Sequence, residues 1–227
     1  MAVAPQPRST RPAPPPWPAG RPLRAWQEEA VAKVMDHSGP SFLASATPAA
    51  GKTTFGLHIA HRMLSEGRVA RVAIVAPTTH ICRQWAADAA RYGLDVEPNR
   101  PNAAGPEPRD RSGIAVTYQT VAAGPGVHRR RASEAPTLLI ADEPHHMGEQ
   151  AAWGRSTVTA FAGARFRLLL SGTPFRSAAA RRTREPHRAV HSRVNRATGA
   201  ASVSSASVEQ LEKGNRLLER EVSRGRR

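Results

Sequence analysis

Lysine is nearly missing from this chain. Lys33, Lys52 and Lys213 are the only ones, so arginine supplies almost all of the 33 basic side chains. Cysteine is as scarce. Cys82 stands alone, which excludes an intrachain disulfide and a cysteine-built zinc cluster. Aromatic residues amount to 5%. Long apolar runs are absent too: the longest, Val72–Pro77, falls far short of the ~20 residues of a membrane-spanning helix. The N-terminus has prolines and arginines where a secretory signal has an apolar core. The expectation is a cytoplasmic protein with no membrane partner.

Arginine, alanine and proline fill the space instead. The 227 residues, 40% of them hydrophobic, suffice for one domain with tails. The net charge of +15 is unevenly spread: residues 1–22 carry +3, residues 23–175 carry +4 and residues 176–227 carry +8. Arginine beside abundant alanine, glycine and proline is what a GC-rich coding sequence produces. It would equally serve nucleic-acid binding. More than half of the excess lies beyond residue 175, so the central region is only mildly basic.

Prolines at 5, 7, 12, 14, 15, 16 and 18 mark residues 1–21 as a disordered leader, partly polyproline II. From residue 22 the pattern changes. Leu23, Trp26, Ala30, Val31 and Val34 share a helical face, and Ser38-Gly39-Pro40 ends that helix. A short apolar strand at 42–44 precedes Ala46-Thr47-Pro48-Ala49-Ala50-Gly51-Lys52-Thr53, and a helix follows over 53–65 with Gly67 at its end. Residues 71–77 read as a buried parallel strand. A helix over 79–92 turns Ile81, Trp85, Ala89 and Tyr92 inward. Residues 95–112 read as a long loop, 113–118 as a strand, and Gly124–Arg131 as an exposed loop with Arg129-Arg130-Arg131 solvated. Strands at 137–141 and 165–170 deliver Asp142-Glu143 and Ser171-Gly172-Thr173-Pro174 at their carboxyl ends. Alternating strands and helices of this kind make an open α/β sheet, which binds ligands at that edge.

The order strand, Gly-Lys-Thr loop, helix carries phosphate chemistry. Backbone N–H groups and the helix dipole converge on an anion there. Lys52 would reach the β- and γ-phosphates and the Thr53 hydroxyl would ligate Mg²⁺. The strict pattern has glycine where Ala46 stands, and Ala49 and Ala50 replace the usual inner glycine. The acidic pair completes a nucleotide-hydrolysing constellation: Asp142 to hold Mg²⁺, Glu143 to take a proton from water. The competing reading of the pair is a solvated turn. His145 and His146 have no third ligand at usable spacing for a transition metal.

Taken in order, these blocks resemble the first RecA-like domain of a superfamily 2 helicase of the DExH type, near the branch of restriction-enzyme motor subunits. The resemblance covers roughly 23–175. It implies a RecA-like parallel sheet flanked by helices over residues 22–177, with ATP and Mg²⁺ as ligands. Residues 23–30 resemble the adenine-recognition block, which implies that Gln27 contacts the base. Thr47, Ala50, Gly51, Lys52, Thr53 and Thr54 would bind the nucleotide. Asp142, Glu143 and His145, with Lys52, would be catalytic, and Thr53 and Asp142 would hold the metal. Pro77 and Thr78, with Gln84-Trp85 after them, resemble a second block, and Gln119 and Thr120 a third. Pro77, Thr78, Gln119 and Thr120 would line the backbone path of single-stranded DNA or RNA. Ser171 and Thr173 would couple ATP state to domain movement. Pro144 departs from the pattern, where a small residue is usual.

Residues 178–227 lack aromatics and strand–helix alternation, so they read as a mostly disordered arginine- and serine-rich tail with a short helix at 208–222. The family's motor needs a second RecA-like domain. The expectation is therefore a truncated helicase, from a frameshift, with impaired hydrolysis and no unwinding on its own, unless a separate motor domain or holoenzyme subunit joins it. Translating the other two frames beyond codon 177 checks the frameshift. Two other readings compete: a non-catalytic fragment that binds nucleic acid through the arginine-rich tail, and a different phosphate-loop enzyme such as a small-molecule kinase.

Overall fold

The structure, a computed structural model, describes residues 13–46, 49–144 and 151–172, with isolated positions 196, 197 and 199. Thr47, His145, Thr173 and the tail helix at 208–222, all singled out from sequence, lie outside these residues.

Six strands form one sheet: β1 (Ser41–Ser45), β2 (Arg71–Ala76), β3 (Val96–Pro98), β4 (Gly113–Thr117), β5 (Thr137–Asp142) and β6 (Phe166–Ser171). Their order is β1-β6-β5-β2-β4-β3, and every pairing is parallel. The helices are α1 (Ala25–Asp36), α2 (Lys52–Ser65), α3 (Thr79–Ala90), α4 (Tyr118–Ala123), α5 (Pro125–Glu134) and α6 (Ala151–Ala160). Successive strand residues face opposite sides. Val72, Ile74, Leu138, Ile140 and Leu168 pack with α2 and α3 residues such as Leu57, Ile59 and Trp85. Ala73, Val75, Ile114, Val116 and Leu139 pack on the other side with Tyr118, Val121 and Phe161. Burial on both faces is why these strands read as continuous apolar runs. β4 lies close against β2: a Cβ at Gly113 would collide with the Val72 carbonyl oxygen.

Three stretches differ from the sequence reading. Gly124–Arg131 is not an exposed loop. Pro125 starts α5, where its fixed φ suits the first turn. Arg131, expected in solvent, is buried. Its guanidinium donates to the carbonyls of Pro101 (3.2 Å) and Ala104 (2.9 Å) and lies 4.0 Å from the Glu107 carboxylate. The 95–112 connection starts with β3 and is then tied down from inside. Arg100 donates to Gly105 and Pro106 and pairs with Glu97. Residues 13–21, assigned to a disordered leader, pack on α2 and α3. The Trp17 indole stacks on Tyr92 with centroids 4.0 Å apart, and His61 Nε2 lies 2.6 Å from the Pro15 carbonyl oxygen. The apolar ring of Trp17 supplies the contact that proline content alone conceals.

Candidate nucleotide site and strand groove at the sheet edge

Parallel strands bring all their carboxyl ends to one edge, and the described residues of the sequence blocks that end or follow these strands sit there. β1 leads into the loop, and Gly51 caps α2 with φ of +93° and no side-chain hydrogen bond. That left-handed geometry suits glycine. A Cβ on Gly51 would lie 2.8 Å from Gln27 Nε2. Gln27, on α1, is buried. It donates to the Gly51 carbonyl (2.9 Å) and accepts from the Arg24 N–H (2.8 Å). Trp26 Nε1 donates to Ala50 (3.2 Å), and the Arg24 guanidinium to Ala49 (3.3 Å). The 23–30 block therefore fastens the 49–51 turn from outside. Three carbonyls of residues 49–51 point at α1, which leaves the loop's N–H groups and the N-terminus of α2 for an anion.

The Lys52 ammonium donates to the Ala46 carbonyl (3.1 Å) and lies 3.2 Å from Glu143 Oε1. The Glu143 carboxylate also accepts from the Gly172 N–H (2.8 Å to Oε2) and from the Ser171 hydroxyl (3.5 Å). Three strand ends, β1, β5 and β6, thus converge on one ion pair. Glu143 adopts φ of +50°, a conformation that costs a non-glycine residue energy and that its contacts with Lys52, Ser171 and Gly172 hold in place. Gly172 allows the approach, since a Cβ there would meet Lys52 Nζ at 3.1 Å and Glu143 Oε1 at 3.2 Å. Asp142 sits one residue earlier. Its Oδ2 accepts from Trp85 Nε1 (2.9 Å) and its carbonyl from the Tyr118 hydroxyl (2.9 Å). Thr53 and Thr54 lie in the first turn of α2, half-buried.

Beside this site, past the ends of β2 and β4, runs an open groove of about 560 Å³. Pro77, Thr78, Gln119 and Thr120 line it together with Thr79 and Asn102. Thr78 caps α3 by accepting from the Ile81 N–H, and Thr117 caps α4 by accepting from the Thr120 N–H. Both helices therefore start at the groove. Asn102 is the groove residue that sequence reasoning missed. It donates to the Thr120 carbonyl (2.8 Å), and its Oδ1 accepts from His128 Nε2 (2.9 Å). Nothing in an aperiodic loop singles it out.

Residues 21–176 match the family described as "Type III restriction enzyme, res subunit", and the chain belongs to that family. It is 43% identical over 157 residues to the uncharacterized protein ML1624 of Mycobacterium leprae (strain TN). It is 42% identical over 156 residues to the uncharacterized protein Rv2917 of Mycobacterium tuberculosis (strain ATCC 25618 / H37Rv). Each match covers 69% of this chain and 26% of the relative, so the chain spans about a quarter of these relatives' length. Among solved structures it resembles the UvsW helicase from bacteriophage T4, with a TM-score of 0.53, 21% identity, and coverage of 66% of this chain and 52% of that one. It also resembles the Sulfolobus solfataricus SWI2/SNF2 ATPase core solved with double-stranded DNA (TM-score 0.54, 16% identity, 72% and 34% coverage). The fold is RecA-like, a parallel sheet flanked by helices like that of the N-terminal domain in such helicase structures. Among the described residues no helix is long and apolar enough to cross a membrane.

Proposed function

We propose that this domain binds ATP at the 46–53 loop and hydrolyses it with Mg²⁺ while a single strand of DNA or RNA occupies the groove. One observation carries the reading. Lys52 at the start of α2, Glu143 just past β5 and the Gly172 N–H just past β6 meet, with the Glu143 carboxylate within 3.2 Å of both partners. A buried core has no need of such a cluster, whereas a phosphoryl site does. Lys52 spends its charge on a carbonyl and a carboxylate, both of which a phosphate can replace. Among the described residues no group of three or more His, Cys, Asp or Glu forms a metal cage. The Thr53 hydroxyl and the Asp142 carboxylate are oxygen donors that suit Mg²⁺, which keeps several waters and takes one or two carboxylates plus phosphate oxygens. Thr53 and Asp142 would hold it, and bound Mg²⁺ would neutralise charge on the phosphate oxygens. Glu143, fixed by Ser171 and Gly172, would accept the proton of the attacking water.

The groove offers hydroxyls, an amide and backbone groups rather than a row of arginines. Such a surface contacts sugar and phosphate without reading bases. Phosphoryl transfer of this kind gains a further ~10³–10⁵ in rate from an arginine at the transferred group. We place that arginine outside residues 13–172, on a second motor domain or another subunit. The test is nucleotide affinity by titration calorimetry. Lys52→Ala should weaken ATP binding by about tenfold or more, the value of a charge-assisted contact, while Glu143→Gln should keep binding and lose single-strand-stimulated hydrolysis. Equal affinity in the wild type and Lys52→Ala would sink the proposal.

A further inference from the structure

Asp142 is held at both ends by aromatic side chains from α3 and α4, the two helices that start at the groove. Trp85 lies on α3, whose cap Thr78 lines the groove, and its indole N–H donates to the Asp142 carboxylate at 2.9 Å. Tyr118 opens α4, next to the groove residues Gln119 and Thr120, and its hydroxyl donates to the Asp142 carbonyl at 2.9 Å. Trp85 is 1% exposed and Tyr118 is fully buried. An apolar core would accept phenylalanine at both positions. Each instead carries its polar atom to the same residue, and the two arrive on different helices from opposite faces of the sheet.

We propose that Trp85 is the positioning residue for the Asp142 carboxylate, and that Trp85 and Tyr118 together link occupancy of the groove to metal binding at the nucleotide site. The inference rests on the proposed function. The Trp85 N–H fixes one carboxylate oxygen and so sets the rotation of the group. The Tyr118 hydroxyl fixes the main chain of the same residue. A strand that shifts the start of α3 or α4 moves one of these donors, and linkage requires that metal-bound nucleotide then alters strand affinity by the same factor.

The experiment is ADP binding by calorimetry on the full chain, with Mg²⁺ and with EDTA, each with and without a single-stranded oligonucleotide. Wild type should bind ADP more tightly with Mg²⁺, and the oligonucleotide should change that Mg²⁺ effect. Trp85→Phe should leave the affinity in EDTA unchanged and cut the Mg²⁺ effect by about tenfold or more, as expected for one lost hydrogen bond to a charged group. Tyr118→Phe, which removes a single oxygen, should keep most of the Mg²⁺ effect and lose its dependence on the oligonucleotide. It also serves as the test if Trp85→Phe does not fold. Wild-type behaviour in both variants overturns the inference. An equal loss with Mg²⁺ and with EDTA also overturns it, because that marks a merely structural role. Absence of ADP binding in the wild type itself would instead strike at the proposed function.

Discussion

At the residue scale, His128 shows how a hidden partner sets a side chain's chemistry. Its ring is buried, with Nε2 on Asn102 and Nδ1 without a hydrogen-bond partner. Burial, helped by the charge of Arg131, pushes its pKa down from 6.5 to about 4. The folded chain therefore keeps a neutral imidazole where the unfolded chain takes up a proton. Between those two values only the unfolded state gains a proton, so His128 costs stability as pH falls from about 6.5 to about 4. Glu107, on the same small cavity with Arg71 and Arg131, acts in the opposite sense. Burial, outweighing its arginine neighbours, raises its carboxyl pKa, so the folded state holds that proton more firmly. The two are separable by substitution. His128→Gln should lose less thermal stability than wild type between pH 7 and pH 5, by on the order of 1–3 kcal/mol. Identical slopes in the two proteins would remove His128 from the pH response.

At the element scale, α5 and the 99–107 turn form a unit that shapes one wall of the groove. Arg131 supplies its centre by bridging α5 to two loop carbonyls and the Glu107 carboxylate. Arg131→Ala leaves Glu107 buried with Arg71 as its remaining close cation. Losing one member of a buried pair is costly, so we expect about 2–4 kcal/mol of destabilisation in urea. Hydrogen exchange should also speed up in 99–107 before it does in β2 or β5. A change below 0.5 kcal/mol, roughly the range of surface substitutions, would mean that the loop stands without the clamp. The same element shows where sequence reasoning stops. Three consecutive arginines beside glycines carry no apolar periodicity, so α5 reads as solvent loop, and only the fold brings Glu107 to Arg131 from across the intervening strand β4 and helix α4. β1, β2, β4, β5 and β6 were legible because strands buried on both faces must be apolar throughout. The site was legible for a related reason. Asp142 and Ser171 end such strands, Glu143, Thr78, Gln119 and Thr120 come shortly after one, and Lys52 opens the helix that follows β1, so chain order brings these candidates to one edge. Trp85 and Tyr118 were inside quoted blocks, but their ring nitrogen and hydroxyl could be aimed at Asp142 only in three dimensions.

At the scale of the whole molecule, most of the charge excess and the groove residues belong to different parts of the sequence, and this separates two ways of holding nucleic acid. The net charge is +15, of which residues 176–227 hold +8, and most of that segment lies outside the described residues. The groove itself is lined by Pro77, three threonines, Gln119 and two other uncharged residues besides Thr117. Counterion release scales with the number of phosphates that basic groups neutralise. A strand held by the groove should therefore show a shallow salt dependence, and one held by the arginine-rich tail a steep one. Deleting residues 178–227 should flatten the salt slope of oligonucleotide binding and leave the response to ATP intact. Gln119→Ala with Thr120→Ala should do the reverse: the slope persists, while stimulation of hydrolysis by the oligonucleotide falls. If the tail deletion abolishes binding at every salt concentration and the groove substitutions change nothing, nucleic acid is held by the tail alone, and the groove has no part in it.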